Sequence, residues 1–144
     1  MERDLVRRIQ PLARRLRAAA DVAVASLDLS DATGWALLEV HRSGSGGSQT
    51  RLATALEISG PSLVRLLARL ERGGLILREA DQADRRPKRI TLTPEGRLAV
   101  ERIEERLGPI RENLFRGFSD DELKVTERLL TGLEERLAIA TASA

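Results

Sequence analysis

Along most of this chain, leucines and arginines fall on opposite sides of helical turns, and breaks in that pattern divide it into segments. From Asp4 to Leu27 the apolar positions Leu5, Ile9, Leu12, Leu16, Ala19, Ala20 and Ala23 recur at helical spacing, with Arg7, Arg8, Arg14, Arg15 and Arg17 off the stripe. Pro11 is expected to kink this helix or to begin its main part, since proline lacks a backbone donor and fits best in a first turn. A second helix is expected from Ser30 as N-cap, with Asp31 in its first turn, through Trp35, Leu38 and His41. The run SGSGGS, residues 43–48, has the composition of a connecting loop. Gln49 to Leu56 then predicts a short helix with Leu52, Ala53 and Leu56 inward, and the small Ala53 and Ala55 suit a close crossing. After a turn over Glu57–Gly60, SGPSLVRLLARLERGG places Leu63, Leu66, Leu67 and Leu70 on one side and Ser62, Arg65, Arg69 and Arg72 in a separate stripe. Two short helices joined by a tight turn make a helix-turn-helix.

Gly73-Gly74 supplies a stop for the striped helix, after which Leu75-Ile76-Leu77 and Arg89 to Thr93 read as two strands. Their connection, Asp81 to Lys88, is longer than a tight turn needs and strongly basic toward its end, which makes the hairpin a wing. Thr93-Pro94 has the N-cap and first-turn signature of a helix running to about Arg116, with Ile103, Leu107, Ile110 and Leu114 spaced four, three and four apart and a bend at Gly108-Pro109. Ser119-Asp120-Asp121-Glu122 is a capping box that opens a last helix striped by Leu123, Thr126, Leu130, Leu133, Leu137 and Ala140. The first and last two helices carry more apolar stripe than a small winged domain covers, and the surplus argues for a homodimer built from both chain ends. The expected fold class is therefore mainly α: a winged helix-turn-helix with a small β-hairpin wing and long N- and C-terminal helices forming a dimerisation region. Residues 1–144 read as a single domain, with 30–93 as the winged portion and 1–29 and 94–144 as dimerisation helices.

Charge sharpens this picture. Over the whole chain it is only +2, yet residues 48–93 hold nine Lys/Arg against five Asp/Glu. A basic middle between slightly acidic arms suits a surface presented to a polyanion. Twenty-two of the 24 basic residues are arginine, so arginine placement carries information and arginine abundance does not. The three aromatics, Trp35, Phe115 and Phe118, are too few for stacking platforms on single-stranded bases. With no cysteine and one histidine, no thiolate metal site, disulfide, multi-histidine centre or thiol switch is expected. No cofactor, metal or catalytic site is expected either, since the usual constellations have no members and acidic pairs such as Glu104-Glu105 lie on polar helix faces. No run approaches the roughly 20 apolar residues of a membrane span. The expected location is cytoplasmic, in a bacterium, associated with the nucleoid.

The order of these elements resembles the MarR family of bacterial transcription regulators. The resemblance is strongest at Asp84-Arg85-Arg86-Pro87-Lys88-Arg89, followed by Ile90-Thr91-Leu92-Thr93-Pro94-Glu95-Gly96. Pro61-Ser62-Leu63-Val64-Arg65 with Asp84-Arg85-Arg86 looks most like the SlyA branch. Pro11, the glycine-rich loop and Gly108-Pro109 depart from the family pattern. The resemblance implies a homodimeric repressor on a pseudo-palindromic double-stranded operator, with each recognition helix in a major groove and each wing toward the minor groove. It implies that Arg86 enters the minor groove, that Asp84 orients it, and that Arg89 braces the hairpin, with Arg85 and Lys88 in the same basic tip. It also implies that Ser62 and Arg65 face bases or phosphates beside Pro61, and that backbone near Ser59-Gly60 and Gln49-Thr50 meets phosphates. Arg69 and Arg72 have a second reading, as neutralisers of their helix C-terminus and of Glu71.

The resemblance further implies a response to a small aromatic or phenolic anion, for which Trp35, His41, Arg14 and Arg17 are the candidate contacts. The plainer readings are Trp35 as a core residue, His41 as a packed or capping histidine, and the arginines of the first helix as a solvated face. Two other functional readings stand beside the repressor: a SlyA-like regulator that displaces another DNA-bound protein, and a winged helix that binds protein.

Overall fold

The computed structural model describes residues 1–27, 29, 31–44, 49–79 and 89–142. These form helices α1 (Glu2–Val24), α2 (Asp31–Ser43), α3 (Gln49–Ala55) and α4 (Gly60–Arg72), strands β1 (Ile76–Glu79) and β2 (Arg89–Leu92), then helices α5 (Pro94–Phe115) and α6 (Asp120–Ala142). The fold is mainly helical with one two-stranded antiparallel hairpin, a winged helix-turn-helix flanked by long terminal helices. The chain divides into two compact units, Met1–Ile110 and Arg111–Ala144.

In the first unit every winged-helix element contributes to one core. Ala20 and Val24 of α1 join Leu37 and Val40 of α2, Leu52 of α3, Leu63, Leu66, Leu67 and Leu70 of α4, Ile76, Ile90, and Val100, Ile103 and Leu107 of α5. Each fully buried leucine or isoleucine removes enough apolar surface to contribute about 1.5–3 kcal/mol. α1 reaches this core only at its C-terminal end. Upstream, Leu5, Ile9, Leu12 and Leu16 remain 38–56% exposed, so most of that stripe is uncovered within one chain. Pro11 does not begin the helix, because α1 runs unbroken through it from Glu2. The expected Ser30 cap lies outside the described residues.

The two stops of the helix-turn-helix are built alike. At the end of α4, Gly74 takes φ +69°, Leu75 N donates to Leu70 O at 2.9 Å and Gly74 N donates to Glu71 O at 3.0 Å. This pairing satisfies the last helical carbonyls, and glycine adopts the left-handed backbone without strain. Because the Leu75 amide is spent there, β1 begins at Ile76 and extends to Glu79, later than the Leu75–Leu77 strand expected from sequence. At the end of α3 the same geometry recurs: Ile58 N donates to Ala53 O and Glu57 N to Thr54 O, both at 3.1 Å, with Glu57 at φ +54°. Ala55 is exposed and only Ala53 packs toward the core, so one small residue serves the crossing.

Glu57 thus occupies a conformation that costs an L-residue about 1–2 kcal/mol, against roughly 0.5–1 kcal/mol of extra chain entropy for glycine. Glu57→Gly is expected to raise stability by about 0.5–1 kcal/mol in urea denaturation. A lower midpoint would mean that the Glu57 side chain holds the turn.

The wing pairs Ile76 with Leu92 and Glu79 with Arg89. Thr93 follows directly and performs three tasks. Its N–H donates to Leu75 O at 3.1 Å, its hydroxyl donates to Gly74 O at 2.6 Å, and its Oγ1 accepts from Gly96 N at 3.0 Å. The N-cap of α5 is therefore tied to the C-cap of α4. Within α5, Gly108 precedes Pro109, where the missing Cβ avoids the crowding that a proline ring imposes on its predecessor in a helix.

In the second unit, Ser119 opens α6 as a capping box. Ser119 N donates to Glu122 Oε2 at 2.8 Å, and Glu122 N donates to Ser119 Oγ at 3.4 Å. The backbone amide and hydroxyl of Ser119 hold the Glu122 carboxyl below its ordinary range. This contribution is complete above the normal carboxylate range and is lost as pH falls through the lowered value. Val125, Leu129, Leu130, Leu137 and Ile139 of α6 are exposed, and Leu123 and Leu133 are half-buried.

Candidate nucleic-acid interface

The outward face of α4 is set by the burial of its inward one. Leu63, Leu66, Leu67 and Leu70 are all but inaccessible, which turns Pro61, Val64, Arg65, Arg69 and Arg72 out to solvent with Ser62 at the margin. Ser59 caps the helix: Ser62 N donates to Ser59 Oγ at 3.3 Å, and the Ser59 hydroxyl donates to Ser62 Oγ at 3.0 Å. Pro61 sits in the first turn, where its missing N–H would have had no helical partner.

Two hollows flank this face. One is lined by Gln49, Thr50, Ala53, Thr54 and Glu57 together with Gly60 and Val64, so the N-terminal ends of α3 and α4 open onto the same space. The expected backbone contacts at Gln49-Thr50 and Gly60 are thereby adjacent. The other runs along Ser62, Arg65, Arg69 and Arg72 above Ala32 and Ile58, collecting the whole basic stripe into one groove. Arg72 Nε donates to Ala68 O at 3.3 Å within its own helix. That bond fits its second reading as a partner of the helix C-terminus.

Glu71 pairs with Arg78 of β1, whose Nε donates to Glu71 Oε2 at 2.8 Å and whose Nη2 makes a second, shorter contact to the same oxygen. Arg78 is more enclosed than its partner, and the pair fastens the hairpin to the last turn of α4. Arg89 is exposed at the far end of the strand pairing. Asp84, Arg85, Arg86 and Lys88 lie outside the described residues.

Of the four candidate ligand contacts, the structure brings two together. The Arg17 guanidinium lies 4.7 Å from the centre of the Trp35 ring, while Trp35 Nε1 donates to Asp21 Oδ1 at 2.7 Å. Trp35 is half-buried and packs against the core, so core residue and exposed aromatic face are one side chain. Arg14 is exposed on α1, one turn before Arg17. His41 is exposed in the last turn of α2, about 240° around the helix from Trp35, and does not share its face. A separate cavity of about 320 Å³ between α2, α3 and β2 is walled by Glu39, Val40, Thr50, Leu52 and Ile90 rather than by Trp35 or Arg17.

Sequence reasoning did not single out Glu57, Asp21, Arg78 or the close approach at Gly96. Only Gly96 left a signal: a glycine in a first turn that otherwise starts with a strong cap, where a helix former would be the default.

The MarR family model matches residues 27–87, from the end of α1 into the connection of the wing. A crystal structure of the transcriptional regulator PA3341 is 32% identical, covers 90% of this chain and 95% of its own, and aligns with a TM-score of 0.79. The chain belongs to the MarR family. It is a winged-helix transcriptional regulator of that family. The S. aureus MepR–DNA complex is 27% identical over 90% of this chain and 93% of MepR, with a TM-score of 0.69. A mutant of MarR from E. coli, 22% identical over 90% of this chain and 95% of its own, shares the fold with a TM-score of 0.71. Among the described residues of this MarR-family chain, no helix is long and apolar enough to cross a membrane.

Proposed function

We propose that this MarR-family chain is a sequence-specific, double-stranded-DNA-binding repressor that acts as a homodimer in the bacterial cytoplasm. The observation that carries the reading is the α4 groove, in which Ser62, Arg65, Arg69 and Arg72 line one side of a helix anchored by four buried leucines. A helix so held enters a major groove as a rigid body, with Arg65 and Arg69 turned out to meet base edges and phosphates. The DNA held by MepR, a family relative of similar fold, is consistent with it. The exposed stripes of α1 and α6 favour two-fold association through both chain ends, with residues 30–93 as the DNA-binding portion. At the wing, Arg86 oriented by Asp84 enters the adjacent minor groove, and Arg89 braces the strand. Pro61-Ser62 and Asp84-Arg85-Arg86 support reading the chain as a SlyA-like member.

The test is duplex binding as a function of salt. Phosphate neutralisation gives an affinity that falls steeply and linearly on a log–log scale. Absence of duplex binding at low salt would instead support a winged helix that binds protein.

Ligand control is part of the proposal and rests on the Arg17–Trp35 pair. An aromatic carboxylate offers Arg17 a charge-assisted partner and Trp35 a planar one. Titration with salicylate-like compounds is expected to change Trp35 fluorescence and weaken operator binding together. A flat signal across a panel, with operator binding unchanged, would remove the ligand from the account.

A further inference from the structure

Val64 is an anomaly on the outward face of α4. It is 50% exposed, with Ser62, Arg65, Arg69 and Arg72 lining the groove to one side. A single exposed valine is ordinary on a protein surface, but three features set this one apart. It lies in the first half of the helix, the part of a recognition helix that reaches base edges. The positions that would staple the helix start belong to Ile58 and Leu63, which face the core, so Val64 is not needed there. It lines the hollow with Gln49, Thr50 and Gly60, on the opposite side from the arginine groove. The outward face is therefore two-sided, cationic along Arg65–Arg72 and apolar at Val64. A β-branched residue is among the poorer helix formers, and this one is only half buried within the chain in return.

We infer that Val64 reads a thymine, packing its methyl groups on the C5-methyl of one thymine in each half-site. The inference rests on the DNA-binding reading above and deepens it. Valine has no hydrogen-bonding group, and the C5-methyl of thymine is the apolar feature that base edges display in the major groove. The contact would select thymine at a position next to that met by Ser62 or Arg65, because Val64 and Arg65 are successive residues about 100° apart on the helix. Gln49 and Thr50, across the hollow, would meet the sugar-phosphate backbone flanking that thymine and fix its distance from the valine.

The test removes the same methyl contact from either side. With an operator selected from randomised duplex DNA, each thymine is replaced singly by deoxyuridine, which deletes only the C5-methyl. Affinities are then measured for the intact protein and for Val64→Ala. Intact protein is expected to lose about fourfold in affinity per half-site at one thymine position, the worth of one buried methyl group. Val64→Ala is expected to bind thymine and deoxyuridine alike there while keeping the sensitivity of other positions. Because the side chain is half exposed and alanine is the better helix former, Val64→Ala should melt no lower than the intact protein. If intact protein binds every deoxyuridine operator as well as the parent, or if Val64→Ala retains the full loss, the valine does not read thymine. Failure to select any duplex would instead overturn the DNA-binding reading, and this inference with it.

Discussion

Gly96→Ala is expected to destabilise the winged domain by about 3 kcal/mol, near the upper end of the range for forced overpacking. Gly96 is buried in the first turn of α5, directly beneath the chain that leaves α4. A Cβ there would penetrate the Leu75 carbonyl oxygen and stand 3.0 Å from the carbonyl carbon. The obstacle is backbone, so no side-chain rotation relieves it. Leu75 O also accepts from Thr93 N, and Gly96 N donates to Thr93 Oγ1. Moving either segment would open the cap of α5 and the last pairing at the base of the wing together. Against the 5–15 kcal/mol by which domains are ordinarily stable, this is a large fraction. Gly132→Ala, inside α6 with nothing within 4 Å of the added Cβ, is the control. It should instead stabilise by about 1 kcal/mol through helix propensity. Urea denaturation of both variants measures the contrast. Equal effects of the same sign would show that the Leu75–Gly96 approach does not constrain the fold.

Arg65→Ala is expected to lower operator affinity by about 1–3 kcal/mol per half-site, the value of a good bidentate base contact. Arg65 is exposed in the same half of α4 as Ser62, whose position is locked by the Ser59 cap. The loss should be accompanied by relaxed preference at one base position per half-site. Arg69→Ala should weaken all sequences evenly and reduce the salt slope, as loss of a phosphate contact does. Arg72→Ala should change DNA binding least, because its guanidinium is already engaged with the Ala68 carbonyl. Arg86→Ala in the wing is expected to weaken the selected operator in the same assay at fixed salt. Equal, sequence-independent losses at Arg65 and Arg69 would mean that α4 lies along the backbone and does not read bases.

Much of this architecture was legible because it is written in short-range patterns. The four α4 leucines, the Gly73-Gly74 stop, Thr93-Pro94 and the Ser119–Glu122 box are local signals, and each appears where its spacing predicts. What escaped was set by tertiary contact or by backbone geometry without a residue signature. A glutamate at positive φ carries no mark in sequence, since glycine or asparagine is the residue that announces such a turn. The start of β1 moved by one residue because closing α4 takes the Leu75 amide, a competition between neighbours that strand patterning does not register. By sequence, Trp35 fits either a core residue or a ligand wall. Asp21 and Arg17, fourteen and eighteen positions earlier in sequence, occupy its edge and its face at once. At the site, the arginine stripe was legible from helical spacing, whereas its division into two hollows depends on where α3 and Ala32 lie.

The central claim is that two copies of α4 read DNA in two-fold register, and selection of bound fragments from randomised duplex DNA tests it most directly. The expected result is a pseudo-palindromic motif whose half-site centres are about 10 base pairs apart, enriched at physiological salt. Fragments with no shared sequence, or a single unpaired motif, would contradict it.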